Sequence, residues 1–398
     1  MPIAIDYGRQ RLELEAASGR QLTLLHGPAG LADLSGVTRN SLNAPLQFPA
    51  LRRALTPDDQ IALVVDEQLP DLAALLVPVL EHIHGAGVEP EAVTLVCPTS
   101  TRDNRWIDQL PEDFDGVQVE IHDAKDRRKL SYLATTASGR RLYLNRTLID
   151  ADQVVVLSGR RYDPYLGYGG AEGALFPALA DEATREEALR APHDDVPGGA
   201  DWPLRREAVE VSWLLGQPFY VQVVAAAGDG VSAVMSGAGD ACREGERLLD
   251  AAWRRTVARR ADTVVASLSG DPARHTFADQ AAALAAAARV VTPGGRIILL
   301  TDAPPVLGPG AEVLRAAADP QAALAALEKD PVADVAALRW ARAAAHARLS
   351  LLSTLPDETA EDLFASPLAG PAQVQRLVAS ARDGLLLQDA HRMMVVLG

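Results

Sequence analysis

Short apolar runs alternate along the chain with longer stretches in which apolar residues recur every three or four positions. IALVVDEQLP (61–70) is an apolar run closed by an acidic turn, which predicts a buried strand. DLAALLVPVLEHIHGAG follows with helical spacing and stops at Gly85 and Gly87, while Pro78 inside it predicts a kink or a late start. AVTLVCPTST then reads as a second strand. Strand, helix, strand is the pattern of a parallel βαβ unit. It puts the polar turns DEQLP and PTSTRDN at the carboxyl ends of their strands, the edge at which open α/β sheets bind ligands.

The same grammar recurs. QVVVLSG (153–159) predicts a strand feeding YDPYLGYGGAEGALFPALA, a loop with Gly167, Gly169 and Gly170 ahead of a helix. Glycine there permits close backbone approach to a ligand. PFYVQVVAAAGDGVSAVMSGAGDACREGERLLDAAWRR reads as a hairpin followed by a helix. DTVVASLSGDP, FADQAAALAAAARVV and TPGGRIILLTDAP form another βαβ unit. The expected organisation is an N-terminal domain over 1–260 and a C-terminal α/β domain over 261–390. HRMMVVLG is expected to form a terminal strand, 391–398, that can return to the N-terminal domain.

Charge narrows the partners. A net charge of −15 over 398 residues argues against nucleic acid and against an anionic membrane surface, since both demand a basic face. The two cysteines, Cys97 and Cys242, have no paired spacing, which excludes a disulfide framework or a thiolate zinc site and suits a reducing cytoplasm. No secretory leader is visible, and the apolar runs break before bilayer length, so the expected location is cytoplasmic. Only Lys125, Lys129 and Lys329 are available to any lysine chemistry.

Isolated motifs are weak. HGPAG (26–30) and GAGDACREG (237–245) lack the spacing of nucleotide fingerprints. His82 and His84 are two apart on a helix, hence on different faces. His193, beside Asp194 and Asp195, is a candidate cation ligand, although a solvated acidic loop is the simpler reading.

The order of the elements says more than any one of them. Asp66-Glu-Gln-Leu-Pro70, Pro98-Thr-Ser-Thr-Arg102, YDPYLGYGGAEGALFPALA, FYVQVV, SGAGDACREG, ASLSGDP, FADQAAAL and VTPGGRIILL follow one another in an order that resembles the nickel-dependent lactate racemase family along nearly the whole chain. The resemblance implies a two-domain α/β fold with mostly parallel sheets flanked by helices and an inter-domain cleft holding the active site. It also implies a nickel pincer nucleotide tethered to a lysine, hydride transfer from an α-hydroxy acid, and two histidines that exchange the hydroxyl proton.

Against that pattern this chain departs at the working positions. Where the family has Gly-Gly-x-Lys, the chain has Gly169-Gly170-Ala171-Glu172, and a carboxylate cannot supply the tethering amine. Tyr162 and Thr101 stand where the resemblance places the two histidines, while Arg102 is kept. Leu69 replaces an arginine in the turn that retains Asp66 and Pro70, and alanine near 281 stands where a substrate-contacting lysine is expected. The metal-binding histidine expected after the glycine loop has no counterpart, although His193 lies close by.

The candidate site is therefore Tyr162 and Glu172 as catalytic groups, with Asp66, Thr99, Ser100, Thr101, Arg102, Gly169 and Gly170 binding a substrate or cofactor. The expected partner is a small carboxylate or a nucleotide-like ligand, with the cofactor's identity open. Three functions fit: a racemase or epimerase of a small α-hydroxy acid with an altered site, a catalytically silent binding or regulatory protein, or a different activity in the same cleft.

Overall fold

The computed structural model describes residues 2–98, 106–137, 139–190, 192, 197, 202–330 and 334–398. The chain divides into two compact units. The larger comprises Ala29–Ala226 and Gly230–Ala251, the smaller Met1–Pro28, Ala227–Asp229 and Ala252–Gly398. The fold is α/β, with mainly parallel sheets flanked by helices.

In the larger unit the strand order is Val231–Gly237, Phe219–Ala225, Gln153–Asp163, Ile61–Val65, Val93–Cys97 and Gln118–Ile121. Every neighbouring pair is parallel except the first, which is the hairpin expected from PFYVQVV. Ile61–Val65 is buried at all five positions, as a central strand covered on both faces must be. Alternate residues serve opposite layers. Leu63 and Val65 pack with Leu75, Leu76 and Val79 of the helix Leu72–His84, whereas Ala62 and Val64 pack with Leu175, Leu179 and Tyr220. Pro78 sits within that helix rather than before it.

The smaller unit has its own parallel sheet, in the order Ala365–Pro367, Arg348–Leu352, Val291–Leu300, Ala261–Ser267, Asp383–Gln388, Gln21–Leu25. The helix Phe277–Val290 links two of these strands and starts on a capping box made by Thr276 and Asp279. The βαβ unit expected after Asp262 is thus present.

The domain boundaries differ from those expected. The first 28 residues belong with the C-terminal sequence, because Gln21–Leu25 adds a parallel strand beside Asp383–Gln388. The terminal strand, Met394–Leu397, pairs in parallel with Arg254–Val257, a segment inside the expected 1–260 range that groups with the smaller unit. Parallel pairing between segments far apart in the chain leaves no local sequence signal, which is why the partner of each strand escaped pattern reading. Among the described residues, no helix is long and apolar enough to cross a membrane.

Candidate functional site

The strand Gln153–Asp163 begins as a buried apolar run and then changes character without ending. Val154–Leu157 is core, and Ser158-Gly-Arg-Arg-Tyr-Asp continues the same extended backbone past the neighbouring strand Ile61–Val65. The overhang is covered by the three-residue strand Gly167–Gly169, paired antiparallel so that Tyr168 lies opposite Tyr162 and Gly169 opposite Arg161. The glycine-rich segment thus folds back as a short antiparallel strand and leads, as expected, into a helix, although one of only four residues, Glu172–Leu175.

Arg160 is the centre of this structure, with a side chain only 1% exposed. Its Nε donates to Gln222 Oε1 at 2.6 Å, Nη1 to the carbonyls of Gly169 and Gly170 at 3.3 and 3.5 Å, and Nη2 to the Cys242 carbonyl at 2.9 Å. Nη2 also lies 3.5 Å from Glu172 Oε2 and 3.9 Å from Glu246 Oε1. Glu246 in turn pairs with Arg205. A buried guanidinium needs this many acceptors, because each unpaired N–H out of water is costly. Two glycines make the approach possible: a Cβ on Gly245 would sit 2.1 Å from Gln222 Oε1, and one on Gly170 would sit 2.2 Å from the Gly159 carbonyl oxygen. Gly170 is followed by Ala171, whose positive φ of 46° is held by an N–H bond to Ser158 Oγ at 2.8 Å.

Glu172 is thus turned inward to Arg160. It also faces the Cys242 thiol, which burial in the first place, and the Glu172 carboxylate in the second, push well above its usual range and so disfavour the thiolate. Burial likewise raises the Glu246 carboxyl, opposed by Arg205 and Arg160.

Tyr162 has a different partner. Its hydroxyl donates to Asp250 Oδ1 at 2.8 Å, and Tyr168 donates to Asp250 Oδ2 at 2.9 Å. The two rings are 6.0 Å apart, and the Arg205 guanidinium lies 5.2 Å from the Tyr168 ring centroid. Asp66 occupies a third position. Its N–H extends the strand ladder to the Leu157 carbonyl, and its Oδ2 accepts from Gly159 N at 3.2 Å and Arg161 Nη1 at 2.9 Å. The Arg161 side chain remains 57% exposed.

The structure therefore brings Asp66, Gly169, Gly170, Glu172 and Tyr162 to one edge of the sheet, but gives Tyr162, Glu172 and Asp66 separate charged partners. Thr99, Ser100, Thr101, Arg102 and His193 lie outside the described residues. Sequence reading missed Gln222, Arg205, Glu246 and Asp250. One signal was available: Cys242, Glu246 and Asp250 recur at every fourth position of the helix Asp240–Trp253, which lines them along one face. Among the described residues, no group of three or more His, Cys, Asp or Glu side chains is arranged to hold a metal ion.

Comparison with known proteins places these residues in context. Residues 7–193 match the family described as the lactate racemase N-terminal domain. The fold is similar to that of the lactate racemase apoprotein from Thermoanaerobacterium thermosaccharolyticum, with a TM-score of 0.84 and 16% identity over 99% of this chain and 100% of that one. A Thermotoga maritima protein is also similar, with a TM-score of 0.68 and 13% identity over 94% of this chain and all of its own. No curated protein matches the chain. At these identities the likeness establishes the fold.

Proposed function

We propose that this chain, whose residues 7–193 match the lactate racemase N-terminal domain, binds a small α-hydroxy carboxylate at the carboxyl edge of the larger unit's sheet without a covalently tethered nickel nucleotide. The pairing of Glu172 with Arg160 carries this reading. At the position where the resemblance expects a lysine amine stands a carboxylate, already committed to a buried guanidinium. A guanidinium stays protonated and offers no free amine for attachment. Of the chain's own lysines in the larger unit, Lys125 is paired with Glu182 and Lys129 ends the turn Arg127–Lys129. The residues present do not fit a tethered nickel nucleotide.

What the edge does offer is a half-exposed guanidinium, Arg161, held by Asp66 beside the glycine turn. Arginine matches a carboxylate with two parallel N–H donors, and the α-hydroxyl of a hydroxy acid can donate to an acceptor such as Asp66.

A second reading, racemisation or epimerisation by acid–base chemistry, is favoured by one observation. Tyr162, where the resemblance expects a histidine, is bonded to Asp250 at 2.8 Å, so the phenol can pass a proton to a carboxylate as it takes one.

Protein produced with and without the nickel-nucleotide biosynthetic enzymes distinguishes the readings. The expected result is an intact mass without an adduct, no stoichiometric nickel, and a thermal shift with short α-hydroxy acids that Arg161→Gln abolishes. An adduct or stoichiometric nickel would overturn the first reading. Change of optical rotation in a hydroxy acid, lost in Tyr162→Phe, would favour the second.

A further inference from the structure

The chain is strongly acidic overall, yet residues 124–147 hold seven basic side chains against one acid. Two of the three lysines are among them. This segment contains the hairpin Leu130–Thr135 with Arg141–Asn145, on the larger unit, and forms one wall of a cavity of about 340 Å³. Arg127, Arg140, Arg141, Tyr143 and Leu130 line it, facing Asp181, Thr184 and Glu187.

What matters is which charges are already used. Asp181 caps its own helix, accepting from Thr184 N at 3.1 Å and Thr184 Oγ1 at 2.8 Å. Glu187 is paired with Arg140 at 3.2 Å, and Arg140 is paired again with Glu207 at 2.8 Å. Nearby, Lys125 is paired with Glu182 and Arg128 with Asp126. Arg127 and Arg141 are the cavity's remaining cations: both are exposed, and neither has an acidic partner among the described residues. The cavity thus holds two uncommitted guanidinium groups and no uncommitted carboxylate.

From this arrangement we infer a second ligand site, distinct from the glycine-turn edge, for a small molecule bearing a phosphate group. A doubly charged phosphate ester neutralises two arginines at once and offers each a pair of oxygens. The Tyr143 ring and the Leu130 side chain supply an apolar wall for the body of the molecule. The volume lies in the range of small-ligand pockets. The protein's overall negative charge disfavours extended polyanions, which cover far more surface than this cavity presents.

Calorimetric titration of the full chain with inorganic phosphate, AMP and citrate tests the site. Phosphate and AMP should bind with AMP the tighter, and the affinity should fall as salt rises. The double variant Arg127→Gln/Arg141→Gln should weaken AMP binding at least tenfold while circular dichroism and the melting temperature of the free protein stay unchanged. Arg128→Gln, which removes a charge already paired with Asp126, should leave affinity within twofold. The inference is overturned by no binding of phosphate or AMP at millimolar concentration, by equal loss in Arg128→Gln, or by binding of a single-stranded oligonucleotide in preference to AMP. Citrate binding as tight as AMP would show that the site selects charge and not phosphate, and would likewise defeat it.

Discussion

Tyr162 and Tyr168 divide one carboxylate between them: each hydroxyl takes a separate oxygen of Asp250, at 2.8 and 2.9 Å. The two tyrosines face each other across the antiparallel turn, and Asp250 reaches them from a helix more than eighty residues further along the chain. The geometry fixes the outcome of a conservative change. Asn at position 250 keeps one acceptor oxygen and presents an NH2 group in place of the other. Asp250→Asn should therefore cost about 1.5–3 kcal/mol in urea denaturation, the scale of one lost hydrogen bond to a charged group. Tyr162→Phe and Tyr168→Phe should each become less costly in the Asn background than in the native protein. Full additivity of the three changes would show that the carboxylate is not shared.

The Arg160 network predicts a larger effect. Removing one partner of a buried ion pair strands the other, at about 3–5 kcal/mol. Arg160→Met should approach that loss, because it strands the Gly169, Gly170 and Cys242 carbonyls as well as Glu172. Glu172→Gln, with Arg160 still bonded to Gln222 and three carbonyls, should cost about 1–3 kcal/mol. Combining the two should be less damaging than their sum, measured as a coupling energy in a double-mutant cycle.

The glycine turn allows steric clash to be separated from backbone strain. Gly170 and Gly139 both have positive φ, 78° and 88°, but a methyl group at Gly170 would meet the Gly159 carbonyl at 2.2 Å whereas at Gly139 it would meet nothing within 4 Å. Gly139→Ala should cost about 1–2 kcal/mol, the ordinary penalty of a left-handed alanine. Gly170→Ala should cost clearly more and should weaken any ligand bound at the Arg161 edge. Equal melting temperatures for the two variants would contradict the geometry.

The smaller unit should be sensitive to acid. His275 and His391 stack edge to face at 5.6 Å, and the Nδ1 atom of each is buried with no hydrogen-bond partner among the described residues. Burial pulls both imidazoles below the ordinary value of 6.5, His391 the further; Arg392 adds to the effect on both, while Asp279, Asp389 and Asp229 oppose it at His275. In the unfolded chain the rings take up protons from about pH 6.5 downward, before the folded rings do. The unfolded state then binds more protons, so stability is complete above pH 6.5 and is lost as pH falls below it. Denaturation midpoints measured between pH 7.5 and 5 should drop in the native protein, and the slope should flatten in His275→Phe.

Much of the fold could be read from the chain, because parallel strands buried on both faces are written as unbroken apolar runs. Ile61–Val65, Val93–Cys97 and the unit around Phe277–Val290 are of this kind. The candidate site was legible only in outline. Asp66, Gly169 and Gly170 lie at a strand end or a turn, which local pattern can find. What each side chain bonds to was hidden, because Arg160 meets Gln222 and Cys242 across 62 and 82 residues of chain. The resemblance offered Tyr162 and Glu172 as catalytic groups from the positions they occupy; in the structure their partners are Asp250 and Arg160. The N-terminal segment was misassigned for the same reason, since nothing in QLTLL announces a neighbour near residue 385.

That neighbour also sets an order of events during synthesis. QLTLL leaves the ribosome first among the strands of its sheet, and the strand it lies against is made more than 350 residues later. Until then it must wait without a partner, and its mixture of exposed and half-buried positions suits it to waiting in water. The smaller unit can close only when translation is nearly finished, by which time every residue of the larger unit has already emerged.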